Sequence, residues 1–117
     1  MVIPLLEDKE FPANLEDILS VDGIDAVSFG PTDYGLSLGL NLLYDFDHPK
    51  IAEAFEAVVE GCKKKGLPIL SAVNPCTVEQ SKKLSNMGIK FQLFGSDIGI
   101  ISSAFQDVMV NVISKVR

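Results

Sequence analysis

Small polar and acidic residues in this chain gather where apolar runs stop. Glu7 closes the run at residues 2–6, and Gly30-Pro31-Thr32-Asp33 follows Ala26-Val27-Ser28-Phe29. Asn74-Pro75-Cys76 follows the run at 69–73, and Gly95-Ser96-Asp97 follows the run at 91–94. If these runs are neighbouring parallel strands, Glu7 and Asp33 stand at the ends of strands ~4.8 Å apart, and both carboxylates can reach one cation. Two carboxylates completed by water suit Mg²⁺ or Mn²⁺ and do not suit zinc. Acidic residues at strand ends also cap the helices that follow, because their oxygens accept orphan backbone N–H groups. On these features alone, the cap and the ligand stand level.

The other reactive side chains read as structural. Cys76 falls on the same rim but has no base beside it in the sequence, so an inert thiol is expected. Cys62 falls on an apolar helical face and is expected in the core. Lys63-Lys64-Lys65 sits in the last turn of a helix, where cations favour the macrodipole. Asp97 is expected to cap the last helix. The one histidine, His48, stands before Pro49 at a helix start, and the one arginine is Arg117.

The elements that must position these groups alternate regularly. After the first apolar run, residues 12–19 carry Leu15, Ile18 and Leu19 at helical spacing, and Val21-Asp22-Gly23 turns the chain. The strand at 26–29 is followed by a Gly-rich segment, 32–47, read as a long connection. His48-Pro49 then opens a helix with Ile51, Ala52, Phe55, Val58, Val59 and Cys62 on one face, stopped by Gly66. A third strand at 69–73 leads to Thr77-x-x-Gln80, the spacing of a capping box, and a helix to about Met87 before Gly88. A fourth strand at 91–94 precedes a last helix carrying the stripe Ile101, Phe105, Val108, Met109, Val112 and Val116.

Four βα units in a row imply an α/β chain with parallel pairing, since a parallel crossover takes about a dozen residues and a helix usually fills them. The strands read as near-continuous apolar runs, the pattern of parallel strands covered on both faces. A single domain over residues 1–117 is expected, with no linker or repeat boundary. Doubly wound domains have about five or six strands and a (β/α)₈ barrel has eight in about 250 residues. An open sheet of four would leave two edges and part of an apolar face bare, which predicts self-association or completion by another piece.

Composition bounds the partners. The chain has 117 residues, 47% of them apolar and 22% charged, and a mean hydropathy of +0.27. That is globular composition and excludes disorder and low complexity. No run approaches the ~20 apolar residues of a transmembrane helix, so no membrane partner is expected. The net charge is −6, which speaks against a nucleic-acid partner. Two cysteines build no disulfide framework, the first residues lack a basic n-region, and a cytoplasmic location is expected.

Taken together, several stretches resemble the second half of the HpcH/HpaI aldolase and citrate lyase family, the class II pyruvate aldolases. They are the strand ending in Glu7, Asn14-Leu15-Glu16-Asp17-Ile18, Val21-Asp22-Gly23-Ile24-Asp25-Ala26, Phe29-Gly30-Pro31-Thr32-Asp33 and Ser37-Leu38-Gly39. His48-Pro49, the third strand and Gly95-Ser96-Asp97 continue the resemblance in register. It implies units five to eight of a (β/α)₈ TIM barrel, its C-terminal half. It implies Glu7 and Asp33 as ligands of a divalent metal, Mg²⁺ or Mn²⁺ with Co²⁺ also admissible. It implies contacts from Gly30, Pro31 and Thr32 to a small 2-oxo acid of the pyruvate or oxaloacetate type, and aldol cleavage of 4-hydroxy-2-oxo acids through a metal-stabilised enolate.

The family's base is a histidine in the first half, supported by an arginine there, so the resemblance assigns no catalytic residue to this chain. Leu5 stands where the family often has a glutamine, and Tyr34 where it has a leucine. The alternative reading is a non-catalytic half-barrel that assembles or binds metal. A flavodoxin-like small-ligand module fits the alternation, but not Glu7 together with Gly30-Pro31-Thr32-Asp33.

Overall fold

A computed structural model of the chain describes residues 1–41 and 45–116. Leu42, Leu43 and Tyr44, within the expected long connection, and Arg117 lie outside the described residues. The element order is β1 (Leu5–Leu6), α1 (Phe11–Leu19), β2 (Val27–Phe29), α2 (Pro31–Ser37), α3 (Pro49–Lys65), β3 (Ile69–Val73), α4 (Val78–Asn86), β4 (Ile89–Phe94) and α5 (Asp97–Asn111). A short 3₁₀ turn, Ile113–Lys115, follows.

The sheet is parallel throughout, in the order β1-β2-β3-β4. Sequential order has a consequence. Crossovers between parallel strands are right-handed, so each one between neighbours in sequence lands on the same side. A doubly wound sheet reverses its order and gains helices on both faces; this one does not. Helices α1 to α4 cover one face, where Leu6, Val27, Phe29, Ile69, Val73 and Ile89 are buried.

The other face stays open. Pairing aligns Leu5 with Ser28, Ser28 with Leu70, Leu70 with Phe91 and Ala72 with Leu93. Leu5 is 51% exposed, Phe91 45% and Leu93 53%. The strands therefore read as apolar on both sides while only one side is covered. An apolar face of this kind belongs to a sheet that curls on itself, and what is present is part of a (β/α)₈ barrel.

Local signals account for most of the helices. Pro49 sits in the first turn of α3, and Gly66 ends it at φ 70°, a left-handed conformation that glycine enters without strain. The Thr77 hydroxyl accepts the Gln80 N–H at 3.2 Å, the threonine half of the expected capping box. The buried face of α3 is Ile51, Ala54, Phe55, Val58 and Cys62, with Ala54 where Ala52 was expected.

Two departures concern sequence stretches read more simply. The segment after Pro31 opens as α2 and not as a loop: Pro31 supplies the φ of a first helical residue, and Asp33 puts a carboxylate in the first turn. At the last helix the cap is Ser96, whose hydroxyl accepts the Gly99 N–H at 3.1 Å, while Asp97 takes the Ile98 N–H at 2.8 Å inside the first turn.

The stripe on α5 does not reach the core. None of its residues is buried, and Ile98, Ile100, Phe105 and Met109 are all exposed. The molecule is correspondingly long, 59 × 29 × 23 Å, with a radius of gyration of 16.8 Å against about 13 Å for a compact chain of this length.

The core centres on Phe29, at the end of β2. Its ring stands 5.3 Å from Phe55, 5.9 Å from Phe46, 6.0 Å from Phe11 and 6.1 Å from Tyr34. Four aromatic neighbours make truncation costly: Phe29→Ala is expected to lower unfolding free energy by about 3–5 kcal/mol. Urea denaturation checks this, and a loss below ~1 kcal/mol would show that the cluster does not organise the core.

Candidate metal and substrate centre

Glu7 is the residue after β1 and Gly30 the residue after β2, and the two strands are hydrogen-bonded in parallel. The ladder runs to its end without a gap: Ser28 N–H donates to Pro4 C=O at 2.9 Å, and Gly30 N–H donates to Leu6 C=O at 3.1 Å. Glu7 is half-buried, and its side chain lies along Gly30. A methyl group placed on Gly30 would stand 3.3 Å from both Cβ and Oε2 of Glu7.

Asp33 is three residues further on, exposed, in the first turn of α2. That helix is tied back to the strand end by Tyr34 N–H, which donates to Gly30 C=O at 2.9 Å. The ring of Tyr34 packs into the aromatic core at 5.0 Å from Phe11, and burial followed by the nearby Glu53 charge holds its hydroxyl pKa up. Pro31 and Tyr34 are both buried, so the short helix is anchored on the side away from Asp33.

The structure thus brings Glu7, Gly30, Pro31, Thr32 and Asp33 to one end of the β1–β2 pair. It also fixes what the backbone there can give. The Gly30 amide is already donated to Leu6, and Pro31 has no N–H. The Gly30 and Pro31 positions therefore offer no backbone donor to a bound anion. Among the described residues, no group of three or more His, Cys, Asp or Glu side chains could hold a metal. The donor set is two carboxylates to be completed by backbone or water. This is a hard-oxygen set of the kind Mg²⁺ and Mn²⁺ accept with several waters retained, and it fits such an ion better than a zinc site.

Ser71 went unnoticed in the sequence. It is buried, 2% exposed, and its hydroxyl donates to Phe29 C=O at 2.9 Å. The peptide joining Phe29 to Gly30 is held from both sides, its carbonyl by β3 and its N–H by β1. The available signal was the alternation Ile69-Ser71-Val73: a lone hydroxyl on a buried strand face needs an acceptor.

Cys76 is exposed at the rim, in a hollow with Thr77, Val78, Ser81, Lys82 and Phe94. Cys62 is buried, and burial pushes its thiol up to about 11. His48 is the residue before α3; its N–H donates to Asp45 Oδ1 at 3.2 Å, and its Nδ1 is buried with no partner among the described residues. No helix among the described residues is long and apolar enough to cross a membrane.

A family profile described as HpcH/HpaI aldolase/citrate lyase matches residues 2–104. The chain is 29% identical over 105 residues to a 5-keto-4-deoxy-D-glucarate aldolase of Klebsiella pneumoniae, covering 90% of this chain and 40% of that protein. It is 41% identical over 64 residues to a hydroxypyruvate/pyruvate aldolase of Rhizorhabdus wittichii, covering 55% of this chain and 26% of that one. Among solved structures, an HpcH/HpaI aldolase from Desulfitobacterium hafniense superposes with a TM-score of 0.82 at 21% identity, over 96% of this chain and 42% of its own. The citrate synthase SbnG superposes at 0.82 and 23% identity, over 98% and 45%. The chain spans about two fifths of the length of the aldolases it matches.

The two thiols differ enough to test the burial pattern directly. In the native protein at pH 8, Cys76 is expected to react with a disulfide reagent within minutes while Cys62 stays protected, giving one thiol per chain and two after denaturation. Two fast native thiols would mean that the α3 face is not packed as described.

Proposed function

The chain belongs to the HpcH/HpaI aldolase/citrate lyase family, and on that footing we propose that it is the C-terminal, metal-holding half of a (β/α)₈ aldolase acting on small 2-oxo acids. The observation that carries the reading is the meeting of Glu7 and the Gly30-Pro31-Thr32-Asp33 segment at adjacent ends of hydrogen-bonded parallel strands. Glu7 and Asp33 would hold the divalent ion, Mg²⁺ or Mn²⁺ in the first instance and Co²⁺ as a substitute. A bound divalent cation supplies Lewis-acid contact to the keto and carboxylate oxygens of a pyruvate-type or oxaloacetate-type substrate and lowers the cost of enolate charge.

The protein's own residues do the placing. Pro31 and Tyr34, packed in the core, fix the direction in which α2 leaves the strand end. Gly30, Pro31 and Thr32 would line the place of the substrate carboxylate. The buried Phe29 ring keeps the strand end from moving as substrate enters.

General acid–base work is the missing part. The single histidine sits at the start of α3, and no other neutral-pH base accompanies it in the sequence. The open sheet face and the exposed helix α5 mark where further chain is needed, either the first four βα units or, less completely, further copies of this one. The same soluble pyruvate-aldolase reading is the ground for a cytoplasmic setting.

Binding and turnover are separable by experiment. Mg²⁺ or Mn²⁺ should raise the melting temperature of the wild-type chain, and Glu7→Gln or Asp33→Asn should abolish the rise. Equal shifts in all three proteins would reduce the carboxylates to helix and strand caps.

The isolated chain should release no measurable pyruvate from 4-hydroxy-2-oxo acids, because loss of a general base costs about 10²–10⁴-fold and loss of half the pocket costs positioning as well. Adding the first four units of a family barrel, as a fusion or a second chain, should restore metal-dependent cleavage that Asp33→Ala removes. Turnover by the short chain alone would overturn the half-site reading.

A further inference from the structure

Gly30 has a negative φ of −104°, so backbone strain does not account for a glycine there. Space does. A Cβ on this residue would lie 3.3 Å from Glu7 Cβ, 3.3 Å from Glu7 Oε2 and 3.6 Å from Leu5 Cδ1, and two carbons normally settle at about 3.5–4.0 Å.

Both backbones are tethered at this point. Gly30 N–H is bonded to Leu6 C=O at 3.1 Å, which ties residue 30 to the peptide that leads into Glu7. The preceding carbonyl is bonded to the buried Ser71 hydroxyl at 2.9 Å, and the preceding side chain is locked among four rings. Relief has to come at Glu7: its Oε2 can turn away, its Cβ can yield only by a few tenths of an ångström of local adjustment, and both displace the carboxylate.

We infer that Gly30 is a positioning residue: its missing side chain sets where the Glu7 carboxylate stands, and the Ser71 hydroxyl holds Gly30 at that distance. This rests on the metal reading of Glu7 and Asp33 and adds to it what determines the geometry between them. It also explains why the segment begins with glycine although the Gly30 amide is already occupied by Leu6.

The test is Mn²⁺ titration of the full chain, followed by calorimetry and by the Mn²⁺ electron paramagnetic resonance line shape, with melting temperature and circular dichroism as controls. Gly30→Ala should weaken Mn²⁺ binding by about 10–100-fold, the range for residues that orient a ligand, and alter the line shape while the fold is retained. Glu7→Gln should lose binding.

Wild-type affinity in Gly30→Ala together with loss in Glu7→Gln would overturn the inference and leave the metal reading intact. Absent binding in the wild type, or equal binding in Glu7→Gln, would sink the metal reading and the inference with it. If Gly30→Ala does not fold, Ser71→Ala decides. It leaves Glu7 and Gly30 in place, and it should weaken Mn²⁺ binding and change the line shape; unchanged affinity in a folded Ser71→Ala protein would overturn the inference.

Discussion

A parallel sheet whose strands follow one another in sequence can be covered by its own crossovers on one side only. Everything else in this molecule depends on that constraint. It puts α1 to α4 on the face of Phe29 and Ile69, and it leaves Leu5, Leu70, Phe91 and Leu93 on a face that no helix among the described residues covers. Parallel pairing sets all four strand ends on one rim, so that Glu7, Asp33, Cys76 and Asp97 follow strand ends along one edge although they are far apart in sequence. Stability thus lies on the helix side, which supplies the core, while the proposed site lies at the rim.

Precision at the rim comes from that core. The Phe29–Gly30 peptide bonds to β1 through its N–H and to β3 through its carbonyl. Each bond contributes about 0.5–1.5 kcal/mol net, but leaving the buried carbonyl unpaired would cost about 1–3 kcal/mol, which gives Ser71 a weight that its size does not suggest. One residue earlier, the Phe29 ring fills the centre of the aromatic cluster. The strand therefore ends in a peptide held from both sides, with Glu7 beside it at the end of β1 and Asp33 beyond it in α2.

Fold class was legible because its signals are redundant. Apolar runs of strand length alternate with helical spacing, Pro49 and Gly66 bracket α3, and Thr77 caps α4. What was not legible depended on neighbours. Pro31-Thr32-Asp33-Tyr34 has turn composition and reads as loop until Tyr34 is seen buried against Phe11, which gives the short helix its anchor. Asp97 has the right chemistry for a cap, but Ser96 has the extended backbone that a cap needs. The proposed site positions are visible as residue types at strand ends, and their roles are what the family resemblance implies. The distance between Glu7 and Gly30 comes from pairing across strands and leaves no trace in local pattern, whereas Ser71 shows in the alternation of β3 only as a hydroxyl in need of an acceptor.

Helix α5 shows the same limit from the other direction. An amphipathic stripe predicts one buried face, yet the apolar side of this helix is bare, with Ile98, Ile101, Phe105, Val108 and Met109 all exposed. A bare apolar stripe is the face by which a helix packs on a surface beyond its own core. The surface it leaves bare on its own sheet, Phe94 at the end of β4 and Val78 at the start of α4, is exposed as well. Two bare surfaces are thus present, one inside the curve of the sheet and one outside it. A single added layer cannot cover both, because the sheet lies between them. Closing the barrel would bury Leu5, Phe91 and Leu93, while Phe94 and α5 would still need contacts from outside the barrel wall.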